Sequence, residues 1–194
     1  MYRILVSIVL CILLLTSCNK NINNPAGLIP DEKKLQDYSL EQVKDEGFVV
    51  FENSSITSGQ FVWNEFVENT VKGIACNVGL AFYYTLDGQN ISPEYYEEIK
   101  DDYPCLFLQD LNFDGEIYTL FSREEGEEYI YKYKYLKRFE EKGSQTAAFS
   151  WCVRYVLVND DNVTLGQITR GELSSQSGAW IDHKVVYSKY LYKD

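Results

Sequence analysis

The chain has 194 residues with 18 basic and 29 acidic side chains. Its net charge of −11 repels a phosphate backbone and argues against a nucleic-acid partner. A composition of 45% hydrophobic and 15% aromatic residues excludes a disordered polar tract, and the aromatic share favours sheet. The length suits one ordinary domain.

Met1, Tyr2 and Arg3 form a short, positively charged start, followed from Ile4 to Leu15 by an apolar run broken only by Ser7. That run falls short of the ~20 residues needed to span a bilayer but suits the core of a secretory signal. It runs into Leu15-Thr16-Ser17-Cys18, which resembles the lipobox of bacterial lipoprotein precursors. The resemblance implies cleavage before Cys18, lipid on its thiol and a place on an extracytoplasmic membrane face. Each buried methylene of the acyl chains adds about 0.8 kcal/mol of anchoring. The expected organisation is a signal peptide over 1–17, a lipidated tether over 18–34 and a single globular domain over 35–194. Losing Arg3 leaves 17 basic against 29 acidic side chains, or −12.

In that organisation Cys11 leaves with the signal, Cys18 carries lipid, and Cys76, Cys105 and Cys152 remain in strand-like apolar runs. They allow one disulfide at most. An oxidising compartment favours a bridge, whereas small buried thiols are common in cores; the reading places three reduced cysteines ahead of a bridge. No zinc-ligand spacing occurs.

Asn19 to Lys34 holds four Asn and two Pro, the composition of a tether. Ser39-Leu40-Glu41-Gln42 has the form of a capping box, and Gly47 suits the end of the short helix it opens. Phe48 to Glu52 reads as a strand. A longer helix opens at Ser58 or Gly59, with an apolar stripe of Phe61, Val62, Phe66, Val67 and Val71, widened by Trp63 and ended by Gly73. Ile74 to Leu86 is a strand, and Gln89 to Tyr103 reads as an insertion with a helical turn after Pro93. Cys105–Phe113 and Glu116–Ser122 flank Asp114-Gly115, a hairpin signal. Glu128–Phe139 and Thr146–Val158 read as two further long strands. Thr164 can cap a short helix ending near Gly171, and Val185–Tyr192 a final strand. Together these predict an α+β domain of two layers: an antiparallel sheet of five to six strands with one main helix on one face.

Phe48-Val49-Val50, Phe66, Lys72-Gly73, Tyr84-Thr85-Leu86-Asp87-Gly88 and Asp110-Leu111-Asn112-Phe113-Asp114-Gly115 followed by Ile117 are similar to the words of a family of small lipoproteins of unknown function, found largely in Gram-positive bacteria. The similarity runs from about residue 47 to 125. The chain departs from it after Gly88, where it inserts about fifteen residues. The resemblance implies fold and address, and brings no catalytic residues.

Asp110, Asn112 and Asp114 with Gly115 reproduce the first half of a calcium loop, but its twelfth position falls on Phe121 rather than on a bidentate Glu. A hairpin needs Asp114-Gly115 in any case, so the turn reading is preferred and no metal is expected. His183, the sole histidine, lies between Asp182 and Lys184 and reads as a solvated imidazole rather than a catalytic base. Nucleophile elbow, paired-histidine and phosphate-loop motifs are absent. Tyr129, Tyr131, Tyr133 and Tyr135 alternate, so one strand projects all four from one face, either into the core or as an aromatic binding surface. The two lysines on the opposite face favour tyrosines inward. No cofactor is expected. These features favour a non-enzymatic surface module, of inhibitor-like type among others, that binds a protein or cell-wall partner. A hydrolase with carboxylates assembled by folding, or a structural envelope protein, is the alternative.

Overall fold

The computed structural model describes residues 38–52, 55–88, 91–124, 127–174 and 180–193. The expected signal peptide, Cys18 and the tether lie outside the described residues.

Helix α1 (Leu40–Asp45) is opened by the Ser39/Gln42 capping box and closed by Gly47 at φ 82°. It leads into β1 (Val49–Glu52). A strand not expected from sequence, β2 (Ser55–Ser58), pairs antiparallel with β1. Helix α2 (Gln60–Val71) then returns the chain to β3 (Cys76–Tyr84), which runs parallel to β1. A helical crossover makes that parallel pairing possible. The inserted segment forms α3 (Pro93–Ile99), capped by Ser92, and one 3-10 turn at Lys100–Asp102. Strands β4 (Cys105–Phe113) and β5 (Tyr118–Glu124) form the expected hairpin, with a longer turn than the Asp114-Gly115 signal implies. Asp114 accepts from the N–H groups of Glu116 and Ile117 and so organises it. With β6 (Glu127–Tyr133) they complete a six-stranded sheet of order β2-β1-β3-β4-β5-β6.

The strand expected over Glu128–Phe139 is broken at Lys134, whose N–H turns to the side-chain oxygen of Asn159. Beyond the break β7 (Tyr135–Lys142), β8 (Phe149–Val158) and β9 (His183–Tyr192) form a separate three-stranded antiparallel sheet of order β7-β8-β9. Helix α4 (Leu165–Leu173) is opened by a capping box of Thr164 and Gln167. The protein is α+β, but the expected single antiparallel sheet under one helix is replaced by one mixed and one antiparallel sheet carrying helices on several faces.

Strand alternation divides the six-stranded sheet cleanly. Phe48 and Val50 point with Ala81 and Leu108 to Val43 of α1. Val49, Phe51, Val78, Leu80, Leu111 and Leu120 point the other way, into a core shared by Trp63 and Phe66 of α2 and by Leu157, Val186 and Tyr187 of the second sheet. Trp63 joins the parts, meeting Tyr155 edge-on at 5.0 Å and Tyr187 at 6.2 Å. The outer face of the small sheet buries Val156 and Val158 against Ile168 of α4 and Val163.

The buried face of α2 is narrower than the expected stripe: Trp63 and Phe66 are in the core and Val62 and Val67 pack against it, but Phe61 and Val71 do not. Trp63, Phe66 and Thr70 are buried, whereas Phe61 and Val71 are 76% and 83% exposed. At 3.6 residues per turn the buried three lie within about 60° of one another, while the expected five spread around the helix. Hydrophobicity alone overstated the stripe.

Candidate functional site

Sheet register carries a further row of side chains onto the core face: Phe82 opposite Phe107, Tyr84 opposite Cys105, Gln109 opposite Ser122, and Ser122 opposite Tyr129. Near α2 and the small sheet this face is covered. Towards the end of the sheet marked by Tyr84 and Cys105 the cover stops, leaving a cleft of about 740 Å³ lined by these residues, by Tyr103 and Arg123, and by Val185 of β9. A smaller cavity of about 220 Å³ adjoins it through Phe82, Tyr84 and Val185. The cleft exists because the six-stranded sheet is longer than what packs on it.

Its surface is aromatic and open. Tyr84 is 48% exposed, Phe107 47% and Tyr129 40%. Tyr84 and Phe107 meet edge to face at 5.9 Å, while the Tyr129 and Tyr131 rings stack nearly parallel with centroids 6.4 Å apart. Clustered large apolar groups left open in this way mark interaction sites more often than chance exposure does. Neutral polar groups, the Gln109 amide and the Ser122 hydroxyl, stand among them, and the Arg123 guanidinium is paired with Glu128. Burial raises the Cys105 thiol above its ordinary value, as it does Tyr84. Cys105 is therefore a thiol and not an activated thiolate.

The tyrosine series divides across both sheets. Tyr129, Tyr131 and Tyr133 project from one face of β6, from exposed to 1% exposed, and Tyr135 begins β7. Tyr133 donates to Asp182 at 3.0 Å, and burial displaces its hydroxyl strongly upward. The Lys184 ammonium sits 3.9 Å from the Tyr131 ring centre, a cation–π contact that ties β9 to β6. The inward reading holds for Tyr133, the surface reading for Tyr129.

The calcium half-loop is a strand and a turn. Asp110 is buried on β4, Asn112 lies two residues along the same face, and Asp114 uses its oxygen on the turn N–H groups. Among the described residues no three His, Cys, Asp or Glu side chains converge as metal ligands.

His183 is not the solvated imidazole its neighbours suggested. It is 7% exposed, beside the Trp180 ring, with Nδ1 2.7 Å from the Ile181 carbonyl oxygen and Nε2 3.2 Å from Glu172. Arg154 donates to the same carboxylate at 2.9 Å. Both histidine contacts are hydrogen bonds only when both nitrogens carry hydrogen. The cluster clamps α4 to β8 and β9, and His183 is not among the residues lining the cleft. Arg154 first, and His183 with it, holds Glu172 below the usual carboxylate range. Glu52, Glu68 and Asp114 are also displaced downward, by Thr57, Lys72 and the turn amides. A general acid needs the opposite displacement.

Cys76, Cys105 and Cys152 are free. Cys76 and Cys105 stand at opposite ends of the β3–β4 pair, eight strand residues or roughly 27 Å apart. Cys152 belongs to the other sheet.

The fold and the cleft define a two-sheet α+β domain with an open aromatic face. Compared with protein-family models, curated proteins and solved structures, the chain finds no match. Of the four tyrosines named from sequence, Tyr129 lines the cleft and Tyr131, Tyr133 and Tyr135 do not; Phe82, Tyr84, Phe107, Gln109 and Val185, which line it, were not singled out. The available signal was aromatic alternation running past the reach of a twelve-residue helix.

Proposed function

We propose that this chain is an extracytoplasmic bacterial lipoprotein, held to a membrane face by lipid on Cys18, whose domain binds a protein or cell-wall partner in the aromatic cleft without transforming it. An inhibitor-like role, in which the cleft occupies a partner's own surface, belongs to the same class. The observation that carries the reading is the set of Tyr84, Phe107 and Tyr129 rings left open on a sheet face. Rings fixed by strand register lose little freedom when a ligand covers them, so their apolar area converts to affinity at small ordering cost. Gln109 and Ser122 supply neutral hydrogen-bonding groups that orient a ligand. The lipobox at Leu15–Cys18 and the resemblance over residues 47–125 support the address and the kinship with small lipoproteins of unknown function.

The test is affinity capture from envelope extract and culture supernatant with residues 35–194 as bait, beside a Tyr84→Ala/Phe107→Ala bait. Both side chains are about half exposed, so the double variant should melt as the parent does. It should retain at least about tenfold less partner, since two anchoring aromatics are removed. Equal retention by both baits refutes the cleft as the binding site. Cys18→Ala should abolish acyl labelling and release the protein from the membrane; persistent labelling refutes the anchor.

A further inference from the structure

We propose that β6 pairs with β6 of a second copy of this chain, joining two six-stranded sheets edge to edge across a twofold axis at Ile130. An outermost strand presents a row of unpaired N–H and C=O groups, and proteins blunt such edges by shortness, charge or bulges. Among the described residues, three of the four sheet edges are blunted. β2 has four residues. On β7, Lys137 and Arg138 are engaged within the chain by Asp161 and Glu140. β9 carries a bulge at Val186, between its pairings Tyr187↔Tyr155 and Val185↔Val156 with β8.

β6 differs. It pairs with β5 in unbroken register from Glu124↔Glu127 to Tyr118↔Tyr133, and its exposed residues include Tyr129 and Ile130, the latter 56% exposed. Its charges are self-complementary rather than merely repulsive. Antiparallel pairing centred on Ile130 sets Glu128 of each copy opposite Lys132 of the other, Tyr129 opposite Tyr131, and Ile130 opposite itself. Opposite charges and aromatic pairs across strands both favour pairing. The neighbouring registers set Glu128 or Lys132 against Ile130 and lose both ion pairs, so one register is selected. Glu128 already meets Arg123, so its carboxylate would lie between two cations.

Pairing also carries the second copy's Tyr129 and Tyr131 onto the same sheet face, extending the aromatic floor of one cleft into that of the other. This deepens the binding role proposed for the cleft, but its test reads association alone, so either can fail without the other. Tethering copies to one membrane face raises their effective concentration.

The experiment uses the full-length chain in its membrane with Ile130→Cys, oxidised mildly and read on a non-reducing gel. Residues directly opposite on antiparallel strands have Cα atoms about 4.5–5.5 Å apart, inside the ~4.4–6.8 Å range of disulfides. A disulfide-linked dimer should form far more readily than from Glu140→Cys on β7 or Lys189→Cys on β9. Adding Lys132→Glu turns two attracting pairs into two repelling ones and should cut the dimer by roughly tenfold; adding Glu128→Lys as well should restore it. Equal cross-linking at all three positions, no dimer at Ile130→Cys, or indifference to charge reversal overturns the proposal.

Discussion

Phe66 and Phe61 lie five residues apart on α2, yet one is 2% exposed and the other 76%. Phe66→Ala empties a site that stacks on Trp63 at 5.9 Å and faces the core shared by both sheets. A buried Phe→Ala change costs about 3–5 kcal/mol, which includes the aromatic contact. Phe61→Ala removes a ring that lies mostly in water and gains a better helix former, so the net change should stay within about 0.5 kcal/mol. For a domain of this size, the Phe66 loss corresponds to a Tm fall of roughly 6–20 °C. Urea unfolding of residues 35–194, followed by circular dichroism, gives the comparison directly. Equal losses, or a larger loss at Phe61, would refute the assignment of the buried helix face and with it the role of α2 in joining the sheets.

Gly59 has φ 77°, and a Cβ there would stand 2.7 Å from the Phe48 carbonyl oxygen, so Gly59→Ala should cost about 1–3 kcal/mol in the same assay. Gly166→Ala, inside α4 with nothing within 4 Å, should instead stabilise by up to about 1 kcal/mol. Glu172 is held below its ordinary value of 4.5, first by Arg154, so its contribution is present above that pH and is lost as pH falls through the lower folded value. Glu172→Gln should therefore narrow its stability deficit against the parent in acid, and a deficit independent of pH between 3 and 7 would count against the clamp, on about the ordinary carboxylate range.

Local signals in this chain were legible where a few residues decide the outcome. Ser39 with Gln42 and Thr164 with Gln167 cap their helices as their side chains dictate, and a hairpin does turn at Asp114-Gly115, although over four residues rather than two. Long-range choices were not. Tyrosine alternation from 129 to 135 is unbroken in sequence, but Lys134 leaves the first sheet because Asn159, 25 residues away, takes its N–H. His183 was misjudged because its flanking Asp182 and Lys184 are polar, whereas its surroundings are set by Glu172 and Trp180. The cleft itself depends on where covering elements stop, a property of packing that alternation along one strand does not encode.

Trp63 meets Tyr187 although 124 positions separate them, and Val185 and Val186 flank that contact as cleft wall and core. The element that completes the structure is thus the last strand of the described fold. Contacts this distant in sequence form late. As the chain is made, the Trp63 and Phe66 face of α2 can meet the first sheet and Tyr155 of β8 early, but it lacks its Tyr187 and Val186 cover until β9 is made. Until that last strand is in place the shared core is incomplete, and the unfinished chain is open to proteolysis and to aggregation through the apolar surface it will later bury.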